Sequence, residues 1–244
     1  MVPTELHGVV AGDIVNSSEM ESGKRRQLPD ILESAYGEVA RAFGEHLPFE
    51  LAISAGDEWR IYVECPKVAL AASLAFWTRL KAADVTSRMV LAIDAIDFIN
   101  NGDLHTSDGA AFRRAGRGLE VILGDELQFA LLLPDERGEL GKICAELTGE
   151  LVDILLKDLT AAQARAVAQM LCPRHGGTAP TTSEIAERWE PEPISRQAVG
   201  KHLHRGGWPV IERTIERYER VIDEFQSPAH FQERTLELDD RHDL

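Results

Sequence analysis

Two aspartates in the N-terminal part of the chain each follow a glycine, Asp13 in Ala-Gly-Asp-Ile and Asp57 in Ala-Gly-Asp-Glu. Hard cations such as magnesium choose oxygen ligands. They commonly take one or two protein carboxylates and leave the remaining positions to water and substrate phosphates. Two convergent aspartates are therefore enough for a metal–phosphate site, provided the fold brings them together. Each alone is ambiguous, because Gly-Asp is a common turn dipeptide and an aspartate behind a strand often caps a helix. A second group of residues has the opposite charge. From Ile194 to Arg220 the cations Arg196, Lys201, Arg205, Arg213, Arg217 and Arg220 outnumber Glu212, Glu216 and Glu219, with His202 and His204 beside them. Clustered cations are what nucleic-acid phosphates require, so a local basic face is open to this stretch. The whole chain, at a formal charge of −15, has no general attraction for nucleic acid.

The elements that must position the aspartates follow from hydrophobic pattern. His7 to Val10 is a short, partly β-branched run that stops at Ala11-Gly12-Asp13 and reads as a buried strand. From about Lys24 to Phe43, apolar residues at three- and four-residue spacing make one face of a helix. Phe49 to Ile53 and Trp59 to Val63 flank a short Gly-containing separator, a hairpin signal that puts Asp57 at its tip. Pro66 suits the first turn of the next helix. A strand near Arg88 to Ile99, a helix from Asp108-Gly109 to about Leu123, and a strand from Leu127 to Leu133 complete the pattern. If the first strand pairs with the hairpin, both aspartates reach one sheet edge. Asp94 and Asp97 alternate with Ile93 and Ile96 and read as an exposed or edge face.

Three blocks in this order, GDIVNSS at 12–18, SAGDEW at 54–59 and DGAAFRRAGRGLE at 108–120, resemble those of SatD family proteins and, more distantly, of class III nucleotide cyclases. The resemblance covers roughly residues 5–133. It implies a fold of the α+β class, a ferredoxin-like palm sheet with covering helices, as also used by diguanylate cyclases. It also implies Mg2+ or Mn2+ held by Asp13, the Ile14 carbonyl and Asp57, and a nucleotide contacted around Ser17, Ser18, Gly56 and Asp108. In the third block, Arg113 and Arg117 fall where cyclases carry an asparagine and a phosphate-stabilising arginine. A four-residue step keeps both on one helix face, and a guanidinium fork matches phosphate oxygens. Arg113 departs from the cyclase asparagine, Asn16-Ser17 departs from the usual glycine and phenylalanine, and no purine-selecting lysine is evident. The plain alternative for Arg113, Arg114 and Arg117 is a solvated face paired with Asp108 and Glu120. Glu58 and Asp108 either support a ligand from behind or only shape turns.

After Pro134 the pattern turns helical. Ile143, Leu147, Leu151, Ile154 and Leu155 recur at helical spacing, and Thr160 caps the next run. We divide the chain into a palm domain (1–135), a linker helix (136–159), a helix-turn-helix domain (160–228) and a flexible acidic tail (229–244). Thr181 and Glu184 have capping-box spacing, and Ser195 begins a second short amphipathic helix. This arrangement resembles a helix-turn-helix, with Ile185 and Ala186 against Val199 and Leu203. Arg196, Gln197, Lys201, His202 and Arg205 would then face DNA. Glu190-Pro191-Glu192-Pro193 makes the turn long and acidic, and such trihelical units also serve as protein-interaction modules. The apolar face of 209–225 would suit packing on a second copy, a homodimer.

Composition, with 44% hydrophobic and 27% charged residues, is that of a globular protein. Cys65, Cys144 and Cys172 lack disulfide or zinc spacing, and no apolar run is long enough to span a bilayer. A cytoplasmic protein without membrane contact is expected. Two functions follow: a DNA-binding regulator that responds to a metal–nucleotide complex, with a nucleoside triphosphate or cyclic nucleotide as ligand, or an active nucleotidyl cyclase or oligonucleotide synthase whose C-terminal helices mediate dimerisation.

Overall fold

The computed structural model describes residues 5–54, 57–100, 102–124, 127–134, 138–172 and 178–226. At its centre is β1 (His7–Ile14), buried on both faces. Val10 and Ile14 enter one apolar cluster while Val9 and Ala11 enter another, as the two-residue period of a strand requires. β1 pairs antiparallel with β3 (Trp59–Val63) on one side and β4 (Ser87–Asp94) on the other. β2 (Ala52–Ile53) adds to β3, and β7 (Phe129–Leu132) joins β4 in parallel, for the order β2-β3-β1-β4-β7. α1 (Ser22–Phe43) links β1 to β2 and α2 (Pro66–Ala82) links β3 to β4. Both cover the Val10 and Ile14 face. α3 (Ala110–Gly124) lies on the opposite face, against Val9, Ala11, Val90 and Ala92. The result is a mixed α/β architecture in which two β-α-β units interlock.

The strand expected from Arg88 to Ile99 breaks at Asp94. Its carboxylate accepts from the Ala95 amide at 2.8 Å, and the chain leaves the sheet to form a separate hairpin of β5 (Phe98–Asn100) and β6 (Asp103–Asp108). Asp94 is also not on an exposed face. It is 8% exposed and accepts from Arg114 Nε of α3 at 2.9 Å. Period-two alternation in Ile93–Asp97 could not separate these outcomes, because a buried ion pair and a solvated edge leave the same pattern.

α4 (Gly138–Lys157) packs on β7. Asp153 of α4, 1% exposed, accepts from the Gln128 and Phe129 amides at 2.5 and 3.0 Å and pairs with Lys157 at 2.8 Å. The helix buries Ala145, Val152 and Leu156, whereas the regular stripe Ile143, Leu147, Leu151 and Ile154 is exposed.

α5 (Ala161–Leu171), α6 (Thr182–Glu187), α7 (Arg196–Arg205) and α8 (Trp208–Gln226) follow. α2 explains how they attach. It is apolar almost all round, with Val68, Leu70, Leu74, Phe76, Trp77 and Leu80 buried together with its alanines. A helix without a polar face must be covered on every side. The sheet and α1 take one side, and α5 and α8 take the other. Tyr218 of α8 donates to the Pro66 carbonyl at 2.7 Å. The α8 face that reads as suited to a second copy, including Ile211, Ile215, Tyr218 and Ile222, is therefore buried within the chain. One apolar cluster runs from Leu6 to Ile222. Among the described residues, no helix is long and apolar enough to cross a membrane.

Candidate functional site

The end of β1 is where the first two of the three sequence blocks meet. In the β1–β3 ladder Gly12 lies opposite Trp59, so Asp57, two residues before Trp59, falls at the same end of the sheet as Asp13. Gly12 is required there by packing. A Cβ on it would lie 2.2 Å from the Trp59 ring and 2.6 Å from the Arg88 carbonyl oxygen. Trp59 in turn donates from Nε1 to Ser87 Oγ at 3.2 Å, Ser87 Oγ donates to the Asp13 carbonyl at 2.6 Å, and Trp77 Nε1 donates to the Ser87 carbonyl at 2.8 Å. Two buried indoles thus hold the end of β1 through one serine.

Beyond Ile14, whose side chain is buried, the chain turns through Asn16 in the left-handed region at φ 55°. A single 3-10 turn, Ser17–Glu19, follows. Ser17 Oγ donates to the Asp57 carboxylate, which ties the two loops together, while Ser18 is exposed. Gly56 lies outside the described residues.

Asp13 itself is not a free ligand. By strand period it points to the same face as Val9 and Ala11, directly across from Arg88. Arg88 donates to it twice, Nε to Oδ1 at 3.0 Å and a terminal nitrogen to Oδ2 at 2.6 Å. Their side chains are 11% and 21% exposed. The fork occupies both oxygens in the geometry that makes arginine–carboxylate pairs strong. A divalent ion at Asp13 would have to displace one of these bonds and sit beside a fixed positive charge. The expected metal set of Asp13, Ile14 and Asp57 thus does not fit a resident Mg2+ or Mn2+ as arranged. No group of three His, Cys, Asp or Glu side chains able to hold an ion is found among the described residues.

The third block goes elsewhere. His7 faces Asp94 at the opposite end of β1 from Asp13, and α3 begins at that end, with the Ala111 amide donating to the Ala95 carbonyl at 3.1 Å. Arg113 there pairs with Asp97 at 3.1 Å and Asp108 at 2.8 Å, all three half-exposed. These two aspartates raise the guanidinium's already high pKa, the Asp97 hydrogen bond first. Asp108 and Arg113 are therefore not part of the Asp13 end. Arg117 is exposed on the outer side of α3. The next residue, Gly118, allows the helix to lie close, since a Cβ would meet Leu132 at 2.7 Å and Val90 at 2.9 Å. Part of that block is thus a packing signal.

In the C-terminal helices, Ser195 caps α7 by accepting from the Ala198 amide at 3.2 Å, and Thr181 makes a full capping box on α6. Ile185, Ala186, Val199 and Leu203 are buried in one cluster. Arg196, Gln197, Lys201 and Arg205 are exposed. His202 is not directed outward with them. It stacks on Trp189 with ring centroids 5.4 Å apart and planes at 11°, while the Arg165 guanidinium lies 5.6 Å from the same ring. Residues 188–195 separate α6 from α7, a longer connection than the tight turn of a DNA-reading pair.

The larger concavities are elsewhere. A groove of about 680 Å³ between α1, α2, α5 and the connection after α6 is lined by Asp30, Glu38, Arg79, Arg165, Arg188 and Glu190. Arg79 pairs with Glu38 and donates to Cys172 Sγ at 2.9 and 3.3 Å. Burial pushes that thiol's pKa up, against the opposing pull of Arg79. The Arg79–Glu38 pair closes part of this groove, and its lining includes no residue of the three sequence blocks, so we place the candidate chemistry at the β1 end. The residue that sequence reasoning missed is Arg88. Its signal was a lone cation at the start of the apolar run Met89–Ile93, which only the antiparallel register aligns with Asp13.

No family model matches the chain, and no curated protein matches it. Among solved structures it is similar over 52% of its length to two of a bacterial light-regulated adenylyl cyclase. One shows 16% identity and a TM-score of 0.39 over 42% of that chain. The other shows 17% and 0.40 over 74%. The chain thus spans less than half the length of the first. Likeness at this level transfers no chemistry.

Proposed function

We propose that this chain is a nucleotide-binding regulator, with a palm-type sheet as the sensing half and the α6–α7 pair as a helix-turn-helix that reads DNA. One observation carries the first part: the β1–β3 register brings Asp13 and Asp57 to one end of the sheet, where Ser17 joins the two loops. The strand order β2-β3-β1-β4 supports the ferredoxin-like, palm reading of the sheet. Binding is favoured over turnover by the Arg88 fork, which removes from Asp13 the free oxygens that an in-line two-metal displacement uses. The DNA part rests on the exposed Arg196, Gln197, Lys201 and Arg205 on one short helix. A homodimer belongs to the same reading, in which Arg117, exposed on α3, would reach the site of a neighbouring copy.

The test is calorimetry of the full chain with each nucleoside triphosphate and with cyclic AMP and cyclic GMP, in Mg2+, in Mn2+ and in EDTA. At least one nucleotide binds, and Asp57→Ala weakens it tenfold or more. No heat with any nucleotide, or equal heats for the variant, overturns the reading. Mass spectrometry of the incubated triphosphates shows no cyclic or oligomeric product; a product with turnover would favour the cyclase alternative. Selection from a random duplex library enriches a sequence that Lys201→Glu no longer retains, and light scattering at micromolar concentration gives a dimer mass. An unenriched library removes the DNA role, and a monomer mass removes the dimer.

A further inference from the structure

We infer that Arg88 is the built-in cation of Asp13: its guanidinium takes the position that a divalent ion would occupy, so whatever binds at this end of the sheet does so without a metal on Asp13. The inference does not depend on nucleotide binding. It rests on three features of the pair. Asp13 and Arg88 are register partners in adjacent strands, so backbone hydrogen bonds set their separation before any side chain moves. Both carboxylate oxygens are engaged at hydrogen-bond distance, and the carboxylate side chain is only 11% exposed. The strand end that carries Asp13 is held from the other face by Ser87, Trp59 and Trp77, which restricts withdrawal of β1 from β4.

An ion approaching Asp13 must therefore remove a bidentate donor and then tolerate it as a like charge a few ångströms away. In a site screened by little water that repulsion is weakly attenuated. Removing the guanidinium while keeping the fold reverses the situation, because it leaves a poorly solvated carboxylate whose natural complement is a cation. Arginine rather than lysine is suited to this role, since its fork satisfies both oxygens and its charge persists at every accessible pH.

Electron paramagnetic resonance of Mn2+ titrated into the full chain tests this. Wild type and Asp13→Asn take up Mn2+ identically, any shared uptake belonging to the acidic surface. Arg88→Gln gains one site at least tenfold tighter than any in wild type, and Arg88→Gln with Asp13→Asn loses it. A wild-type site that Asp13→Asn abolishes overturns the inference, as does a folded Arg88→Gln that gains nothing. Should either variant fail to fold, substoichiometric Mn2+ added to 15N-labelled wild type decides. No selective broadening of the amides of Gly12 to Val15 supports the built-in cation, and selective broadening overturns it.

Discussion

At the scale of single residues, the strongest constraint is the Asp13–Arg88 fork, whose energetics are asymmetric. A mostly buried ion pair contributes little net stability relative to an apolar pair of similar size, yet removing one member leaves an uncompensated charge that costs about 3 kcal/mol. Asp13→Asn should therefore lower the urea-unfolding free energy by roughly that amount, while the double replacement Asp13→Leu with Arg88→Met should lose less than the single one. Equal or additive losses would mean that the two side chains are solvated independently. Gly12 sets a second residue-scale limit. Its missing side chain is filled by the Trp59 ring and the Arg88 carbonyl, and backbone cannot move aside as a flexible side chain can. Gly12→Ala should cost about 2 kcal/mol or more by overpacking, checked by the same denaturation. The Gly-Asp dipeptide thus carries two meanings that its sequence alone could not separate. The glycine is a packing requirement of Trp59, and the aspartate is an ion-pair partner set by a register 75 residues away.

At the scale of elements, the strands and helices that interlock in the sheet were legible because burial on one face leaves a period. Thus α1, β3 and α2 lie close to their expected spans, while β1 starts as expected and runs on through Gly12 and Asp13 to Ile14 instead of stopping at the glycine. The β5–β6 hairpin was not legible, since its strands are short and largely exposed, and the break before it is made by the Asp94 side chain accepting from the Ala95 amide. The role of α4 was not legible either, because its regular apolar stripe is the exposed one, while its buried face mixes Ala145, Val152 and Leu156 with the carboxylate of Asp153. The chain leading into β2 shows how one side chain fixes an element and gives it a pH dependence. Tyr36 of α1 donates to the Phe49 carbonyl, and burial, with Glu50 adding to it, pushes its phenol from the ordinary value near 10 up to about 12. Tyr62, buried on the other face beside Glu64 and Glu5, is also pushed up to about 12. The unfolded chain then releases these protons before the folded one does. The stability they confer is whole below about pH 10 and is lost as the pH rises toward 12. Unfolding free energy measured between pH 8 and 11.5 should be flat and then fall, and the fall should be shallower in Tyr36→Phe. A steady rise across that range would contradict the assigned burial.

At the scale of the whole molecule, the change from strands to helices near residue 135 is a change of pattern, and the core does not divide there. α2 has no polar face to give to water, so its far side is completed by α5 and α8, and one apolar cluster joins Leu6 to Ile222. Two tryptophans, Trp59 and Trp77, lie in the sheet half, and two, Trp189 and Trp208, lie among the C-terminal helices. Chains whose halves have separate cores can unfold in two steps. A shared core couples the halves, because opening one exposes apolar area of the other at roughly 25 cal/mol per Å². With all four indoles replaced by 5-fluorotryptophan, the four fluorine resonances should therefore pass from folded to unfolded positions at one urea midpoint. Earlier loss of the Trp189 and Trp208 signals would show that the C-terminal helices open on their own. In that case a ligand at the β1 end could not be transmitted to α7 through α2 and α5. Coincident midpoints leave that route intact, since α5 touches both α2 and α7 and any shift in the first helix must be accommodated by the second.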